Sequence, residues 1–193
     1  MVICVSGNYR SGKSGLSSEI SKKLGLSHYS MRSLKEKQKT EYNTDFVDWS
    51  GQIEFDENII IDNNIVEIAK KGNCLLDFRY SAILCKKHDI NYIGIWVISD
   101  LESRIYGNSY CWNKSYDETN EIILSRESKE KETCAILHNT DYSLSKYYKY
   151  FIDLSKYWYP IEQAVLRGFL FENLVDEIAD KIRLEECYNG EVS

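Results

Sequence analysis

The pattern G-x-x-x-x-G-K-[ST] is met at every specified position by Gly7-Asn8-Tyr9-Arg10-Ser11-Gly12-Lys13-Ser14. Its flanks narrow the fold further. Val2-Ile3-Cys4-Val5 is a short apolar run rich in β-branched residues, as in a strand buried in a parallel sheet. Leu16, Ile20 and Leu24 recur on one helical face, and Gly25 ends the run. Strand, glycine loop and helix in that order make a phosphate cradle. Glycines let the loop wrap closely, and the N–H groups from Tyr9 to Ser14 can converge on an anion. The first helical turn adds the positive end of its dipole. Gly7, Asn8, Tyr9, Arg10, Ser11, Gly12, Lys13, Ser14 and Gly15 are the expected ATP or GTP contacts. Lys13 is expected along the β- and γ-phosphates, the Ser14 hydroxyl on Mg²⁺, and Arg10 as a loose cation near the transferred group.

Beyond the loop, strand and helix signals alternate. Leu26–Ser30 reads as a second strand, followed by Met31-Arg32-Ser33-Leu34-Lys35, and residues 36–52 are polar without clear period. A helix is expected from Asp56 to Lys71, with Ile60, Ile61, Asn64, Ile65, Ile68 and Ala69 as its stripe. Cys74-Leu75-Leu76-Asp77 is the third strand. Asp77 ends it on the edge where such folds hold Mg²⁺ through water. A short helix, Ser81–Lys87, leads to a strand over Tyr92–Ile98, and Ser99-Asp100 caps a helix from Leu101. Residues 107–140 are charge-rich with a thin patch at Ile122-Ile123-Leu124, the composition of a surface helical hairpin or lid. Tyr142–Lys149 reads as helix and Tyr150–Leu154 as the fifth strand. Pro160 opens a last amphipathic helix, and the polar residues after Glu185 read as a frayed tail. The expected fold is a three-layer α/β/α domain over residues 1–185 with a five-stranded parallel sheet and a phosphate site at its carboxyl edge.

Composition excludes other classes. A net charge of −6 without a basic block argues against a nucleic-acid polymer as partner. No run is long enough to span a membrane, and Arg10 and Lys13 interrupt a signal-peptide reading. The six cysteines are scattered without a C-x-x-C pair, which fits reduced structural thiols in a cytoplasmic protein and not zinc. A monomer or homodimer is expected.

In this order the features resemble the nucleoside monophosphate kinases of the P-loop superfamily, the archaeal type of cytidylate kinase above all. The resemblance covers about residues 2–180. It rests on the loop, Met31-Arg32, Ile61-Asp62, Gly72-Asn73-Cys74-Leu75-Leu76-Asp77-Phe78-Arg79, Ser125-Arg126-Glu127-Ser128-Lys129-Glu130 and Phe151-Ile152-Asp153-Leu154-Ser155. It implies ATP and Mg²⁺ as cofactors, a monophosphate-binding insert over residues 31–71, and a lid over 107–140. It also implies γ-phosphoryl transfer to a nucleotide, CMP or dCMP preferred. Arg32 and Arg79 match the arginines that grip the acceptor phosphate, Asp62 an acceptor-site acid, and Arg126 a lid arginine active in transfer with Lys13. Two departures stand out: Phe78 replaces the family's glycine, and Gly107-Asn108-Ser109 and Thr133 stand where the lid commonly carries basic residues. They leave open a kinase for an unusual nucleotide, or a nucleotide-binding protein without transfer activity.

Overall fold

A computed structural model of the chain describes residues 1–31, 33–34, 55–157 and 164–190. Arg32, most of the proposed insert and Pro160 lie outside these residues.

Five parallel strands form one sheet: β1 (Val2–Gly7), β2 (Ser27–Ser30), β3 (Cys74–Asp77), β4 (Ile93–Ile98) and β5 (Tyr150–Asp153). Their spatial order is β2-β3-β1-β4-β5. The helices are α1 (Lys13–Leu24), α2 (Phe55–Lys71), α3 (Ser81–Lys87), α4 (Leu101–Trp112), α5 (Tyr116–His138) and α6 (Ala164–Gly190). From β1 the chain runs outward to β2, and from β3 it crosses to β4 on the other side. The strand order therefore reverses between β1 and β3, where a crevice opens at the carboxyl edge.

Alternation along the strands divides the core. Ile3, Val5, Leu75, Ile95 and Val97 pack with Leu16 and Ile20 of α1 and with Val175, Ile178 and Ile182 of α6. Cys4, Leu76 and Trp96 face the other way, against Ile61, Ile65 and Ala69 of α2 and Ala82–Cys85 of α3. Each fully buried aliphatic side chain contributes about 1.5–3 kcal/mol relative to exposure, so the central strands fix the crevice firmly. On α2 the buried face is turned from the expected stripe. Ile60 is 53% exposed and Asn64 is exposed, while Val66 is buried.

Two segments differ from expectation. Tyr142–Lys149 is not a helix; it holds only a 3₁₀ turn at Ser145–Tyr147. The Asp141 carboxylate accepts from the Ser143 N–H and hydroxyl, and Tyr148 donates to the Tyr142 carbonyl, so local polar groups compete with helical pairing. The segment also lies against β4, where a Cβ on Gly94 would meet the Tyr147 carbonyl at 2.2 Å. At the C-terminus α6 continues to Gly190 instead of fraying after Glu185. Glu185 is held there by Lys149 and Tyr150 at the start of β5.

The charge-rich region forms α4 and α5, joined by a short turn. Asp100 caps α4 by accepting from the Ser103 N–H, and Ser115 with Glu118 forms a capping box on α5. Asn113 and Asn139 close the two helices in the left-handed conformation. Composition suggests a solvated pair, yet α5 buries Thr119, Ile123, Glu130, Cys134 and His138 along one face. Of the described cysteines, Cys4, Cys74, Cys85 and Cys134 are buried free thiols and Cys111 is exposed.

Candidate active site

The glycine loop leaves β1 at Gly7, and a Cβ there would meet the Val97 carbonyl oxygen at 2.4 Å. Only glycine allows β1 and β4 to stay paired at this point. Gly12 reaches φ 87°, turning the chain into α1, and Arg10 also takes a positive φ of 63°. The loop closes through the Ser11 N–H to the Asn8 carbonyl at 3.1 Å. The Arg10 guanidinium is not loose: it stacks over Trp112 at the end of α4, 4.6 Å from the ring centroid.

Lys13 and Asp77 meet across the β1–β3 crevice, with Nζ 4.0 Å from Oδ1. His28, on β2, stands on the other carboxylate oxygen at 3.8 Å. Burial pushes the Asp77 carboxyl up, but His28, Lys13 and the Ser14 hydroxyl outweigh it and hold the pKa below its ordinary value. Burial lowers the Lys13 ammonium, opposed by Asp77. Asp77 Oδ1 is buried without a hydrogen-bond partner. An ionised carboxylate with a bare oxygen beside a serine hydroxyl is a donor set suited to hydrated Mg²⁺. Among the described residues no group of three or more His, Cys, Asp or Glu converges to hold a metal by itself.

The turn after β3 is drawn to the loop by Ser6, whose hydroxyl lies 3.0 Å from both the Phe78 and Arg79 carbonyls. Ser81 adds a second bond to the Phe78 carbonyl, 2.9 Å. These bonds fix where Arg79 begins. Its guanidinium Nε lies 2.5 Å from Glu130 Oε2, and Arg126 Nε lies 2.9 Å from Glu130 Oε1. Two sequence-expected arginines, from the β3–α3 turn and from α5, thus share one buried carboxylate. Burial raises the Glu130 carboxyl pKa, against the pull of Arg79, Arg126 and Lys13. The Tyr80 hydroxyl donates to the Glu130 carbonyl at 2.8 Å, adding a neutral tie between turn and helix.

One turn earlier on α5, Glu127 reaches the glycine loop. Its Oε1 accepts from the Tyr9 N–H at 3.1 Å and the Asn8 side-chain amide at 3.2 Å. Arg104 of α4, 4% exposed, completes this contact. It donates to Glu127 and to the Tyr9 carbonyl at 2.8 Å each, and to the Ser99 carbonyl at 3.1 Å. Backbone and side chain are satisfied together, as a buried charge requires.

A cavity beside this cluster is lined by Arg79, Arg126, Phe78, Tyr80 and Asp62. Asp62, on α2, stands 3.4 Å from His138 Nε2 at the end of α5. Burial raises the Asp62 carboxyl to about 7, opposed by Lys87, and lowers the His138 imidazole to about 4. Lys13, Ser14, Asp77, Arg79, Arg126 and Asp62 therefore gather at one end of the molecule. A wider depression between Lys86, Tyr92 and Lys149 lies at the amino ends of β4 and β5, away from the loop.

His28, Glu127, Glu130 and His138 are site residues that sequence reasoning passed over. The one local signal is the spacing of four between Arg126 and Glu130, which any solvated helix could show as an ion pair. Phe78, 2% exposed, belongs to the core beneath the site. Among the described residues no helix is long and apolar enough to cross a membrane.

No protein-family model matches the chain. It is 29% identical over 162 residues to a cytidylate kinase of Methanococcus vannielii, covering 81% of this chain and 92% of that one. A cytidylate kinase of Methanococcus maripaludis is 28% identical over 188 residues, 95% of this chain and 99% of its own. Among solved structures, shikimate kinase from Bacteroides thetaiotaomicron superposes with a TM-score of 0.58 at 15% identity, over 95% of this chain and 98% of that one. Sheet order, glycine loop and these likenesses agree: the chain has the α/β fold of the P-loop kinases.

Proposed function

We propose that this chain transfers the γ-phosphoryl group of ATP to the phosphate of a nucleoside monophosphate, CMP or dCMP preferred. The observation that carries the reading is the placement of Arg79 and Arg126 together beside the Lys13–Asp77 crevice. Two neighbouring guanidinium groups suit a phosphate acceptor and the phosphoryl group moving to it, because each fork matches two phosphate oxygens. An ionised phosphate is already a nucleophile, so transfer needs no general base. The bond from Pγ to the β–γ bridging oxygen breaks, a bond from Pγ to an acceptor phosphate oxygen forms, and ADP leaves with the electron pair.

The protein's part is alignment and charge compensation. The loop amides and the Lys13 ammonium hold the ATP phosphates, while Arg79, with Arg32, holds the acceptor. Arg126 faces the charge that spreads over the transferred group. Ser14 and Asp77 would hold Mg²⁺, which when bound neutralises phosphate charge. Asp62 stands on the cavity wall where the sugar or base of an acceptor entering at Arg79 would reach. The likeness to cytidylate kinases supports the choice of CMP as acceptor.

Phe78 favours a second reading. Where glycine is common in the resembled family, this bulky, almost fully buried residue stands at the wall of the proposed acceptor cavity, and a pocket reshaped there suits an unusual nucleotide. ADP release measured with ATP, Mg²⁺ and each of CMP, dCMP, UMP, AMP and GMP separates the readings. Turnover with CMP or dCMP well above the others is expected. Silence across all five, with nucleotide binding intact, would overturn the proposal in favour of an unusual acceptor or a binding protein.

A further inference from the structure

We infer that Glu130 is a positioning residue: one buried carboxylate of α5 sets Arg79, on the acceptor phosphate, beside Arg126, on the transferred group. The inference rests on the reading of Arg79 as an acceptor ligand and adds a residue to it.

Two guanidinium groups that share a site repel one another, and each has many rotamers to lose. Glu130 answers both difficulties. Its two oxygens are divided, Oε2 to Arg79 at 2.5 Å and Oε1 to Arg126 at 2.9 Å. Each close approach is at Nε; that of Arg126 is a hydrogen bond, and that of Arg79 is an ion-pair contact without hydrogen-bond alignment. A guanidinium approached at Nε can still offer its two Nη groups to phosphate oxygens. The side chain of Glu130 is 6% exposed, whereas those of Arg79 and Arg126 are 22% and 25% exposed. The acid is the most buried of the three, and all three line the cavity. Tyr80 holds the Glu130 main chain at 2.8 Å, so the carboxylate is placed by the backbone as well as by its partners.

A simple ion-pair role would predict otherwise. If Glu130 only neutralised the two arginines, it would compete with phosphate, and its removal would tighten acceptor binding. If it positions them, its removal loosens acceptor binding although a negative charge has gone. The sign of the change separates the two.

The experiment is calorimetric titration of CMP, and separately of a non-hydrolysable ATP analogue, into wild type and Glu130→Gln, with Glu130→Asp as a second variant. Glutamine keeps the shape and loses the charge; aspartate keeps the charge and is too short to span both arginines. Thermal midpoints verify folding. The expected result is CMP affinity at least tenfold weaker in both variants, with affinity for the ATP analogue within about twofold of wild type. Unchanged or tighter CMP binding in Glu130→Gln would overturn the inference, as would equal weakening for both ligands. If wild type binds CMP but transfers no phosphoryl group, the proposed activity fails while the CMP ratio still decides the role of Glu130. If wild type binds no monophosphate at millimolar concentration, both fall.

Discussion

The glycine loop and α5 bring charge to the same site by opposite means. The loop is built from backbone. Its geometry depends on Gly7 fitting under the Val97 carbonyl and on Gly12 at positive φ, and its anchor is a strand buried on both faces. The helix is built from side chains. Beside its buried Thr119, Ile123 and Cys134, α5 is tied near the site by Glu127 on the loop, Glu130 between two arginines, Tyr80 on the Glu130 carbonyl, and His138 on Asp62. A backbone-built site is rigid because few residue types can occupy it. A side-chain-built site is adjustable, because each tie is an ion pair or hydrogen bond that a ligand can replace. The proposed transfer would draw on both, a fixed donor site and a cover whose ties a ligand can replace.

That contrast can be broken at its strongest point first. Lys13→Ala should lower turnover by about 10²–10³-fold, the usual cost of losing one preorganised charge partner of the transferred group. Its thermal midpoint should stay close to wild type, since the Asp77 contact is long at 4.0 Å. A variant that unfolds instead would show that Lys13 is part of the scaffold.

Gly7→Ala attacks the backbone half. The added methyl would meet the Val97 carbonyl at 2.4 Å, and overpacking of this kind costs about 1–3 kcal/mol. Urea unfolding should show that loss. Gly15→Ala, where nothing lies within 4 Å, should change stability far less. Equal effects at the two glycines would break the claim that close approach governs the loop.

The smallest expected effect sharpens the side-chain half. Asp62 alone, raised from 3.8 to about 7 by burial, would contribute stability that is full at low pH and lost as pH rises through that interval. His138 alone, lowered from 6.5 to about 4 by burial, would contribute stability that is full above 6.5 and lost as pH falls. Between about pH 4 and 6.5 the two slopes oppose, because the pair holds one proton both folded and unfolded. Asp62→Asn should therefore expose a rise in stability from pH 4 to 6.5, on the order of 1 kcal/mol. His138→Gln should expose a fall over the same range. Unfolding free energies at three pH values test this, and curves parallel to wild type would show that the groups do not titrate as a pair.

These two halves were unequally legible in the sequence. The loop announced itself because backbone conformation restricts residue type: glycine at 7 and 12, lysine and serine following, apolar residues on either side. Asp77 was legible as the polar end of an apolar strand. The α5 ties were not. An acid four residues after Arg126 is the ordinary grammar of a solvated helix, and nothing local says that Arg79, from the β3–α3 turn, completes the group. Glu127 and His28 gave no signal for the same reason, as their partners come from other elements. The helix expected over Tyr142–Lys149 failed through competition: the Asp141 carboxylate takes the Ser143 N–H and hydroxyl, and contact with β4 outweighs weak helical periodicity.

The bond from the Tyr9 N–H to Glu127 has a consequence for the protein before it meets a ligand. A loop shaped to receive phosphate presents N–H groups that water or an anion must satisfy, and an unsatisfied donor carries a penalty of about 1–3 kcal/mol. Here the chain brings an anion of its own, held by Arg104. The chain therefore completes this part of its architecture with its own side chains, before any ligand arrives.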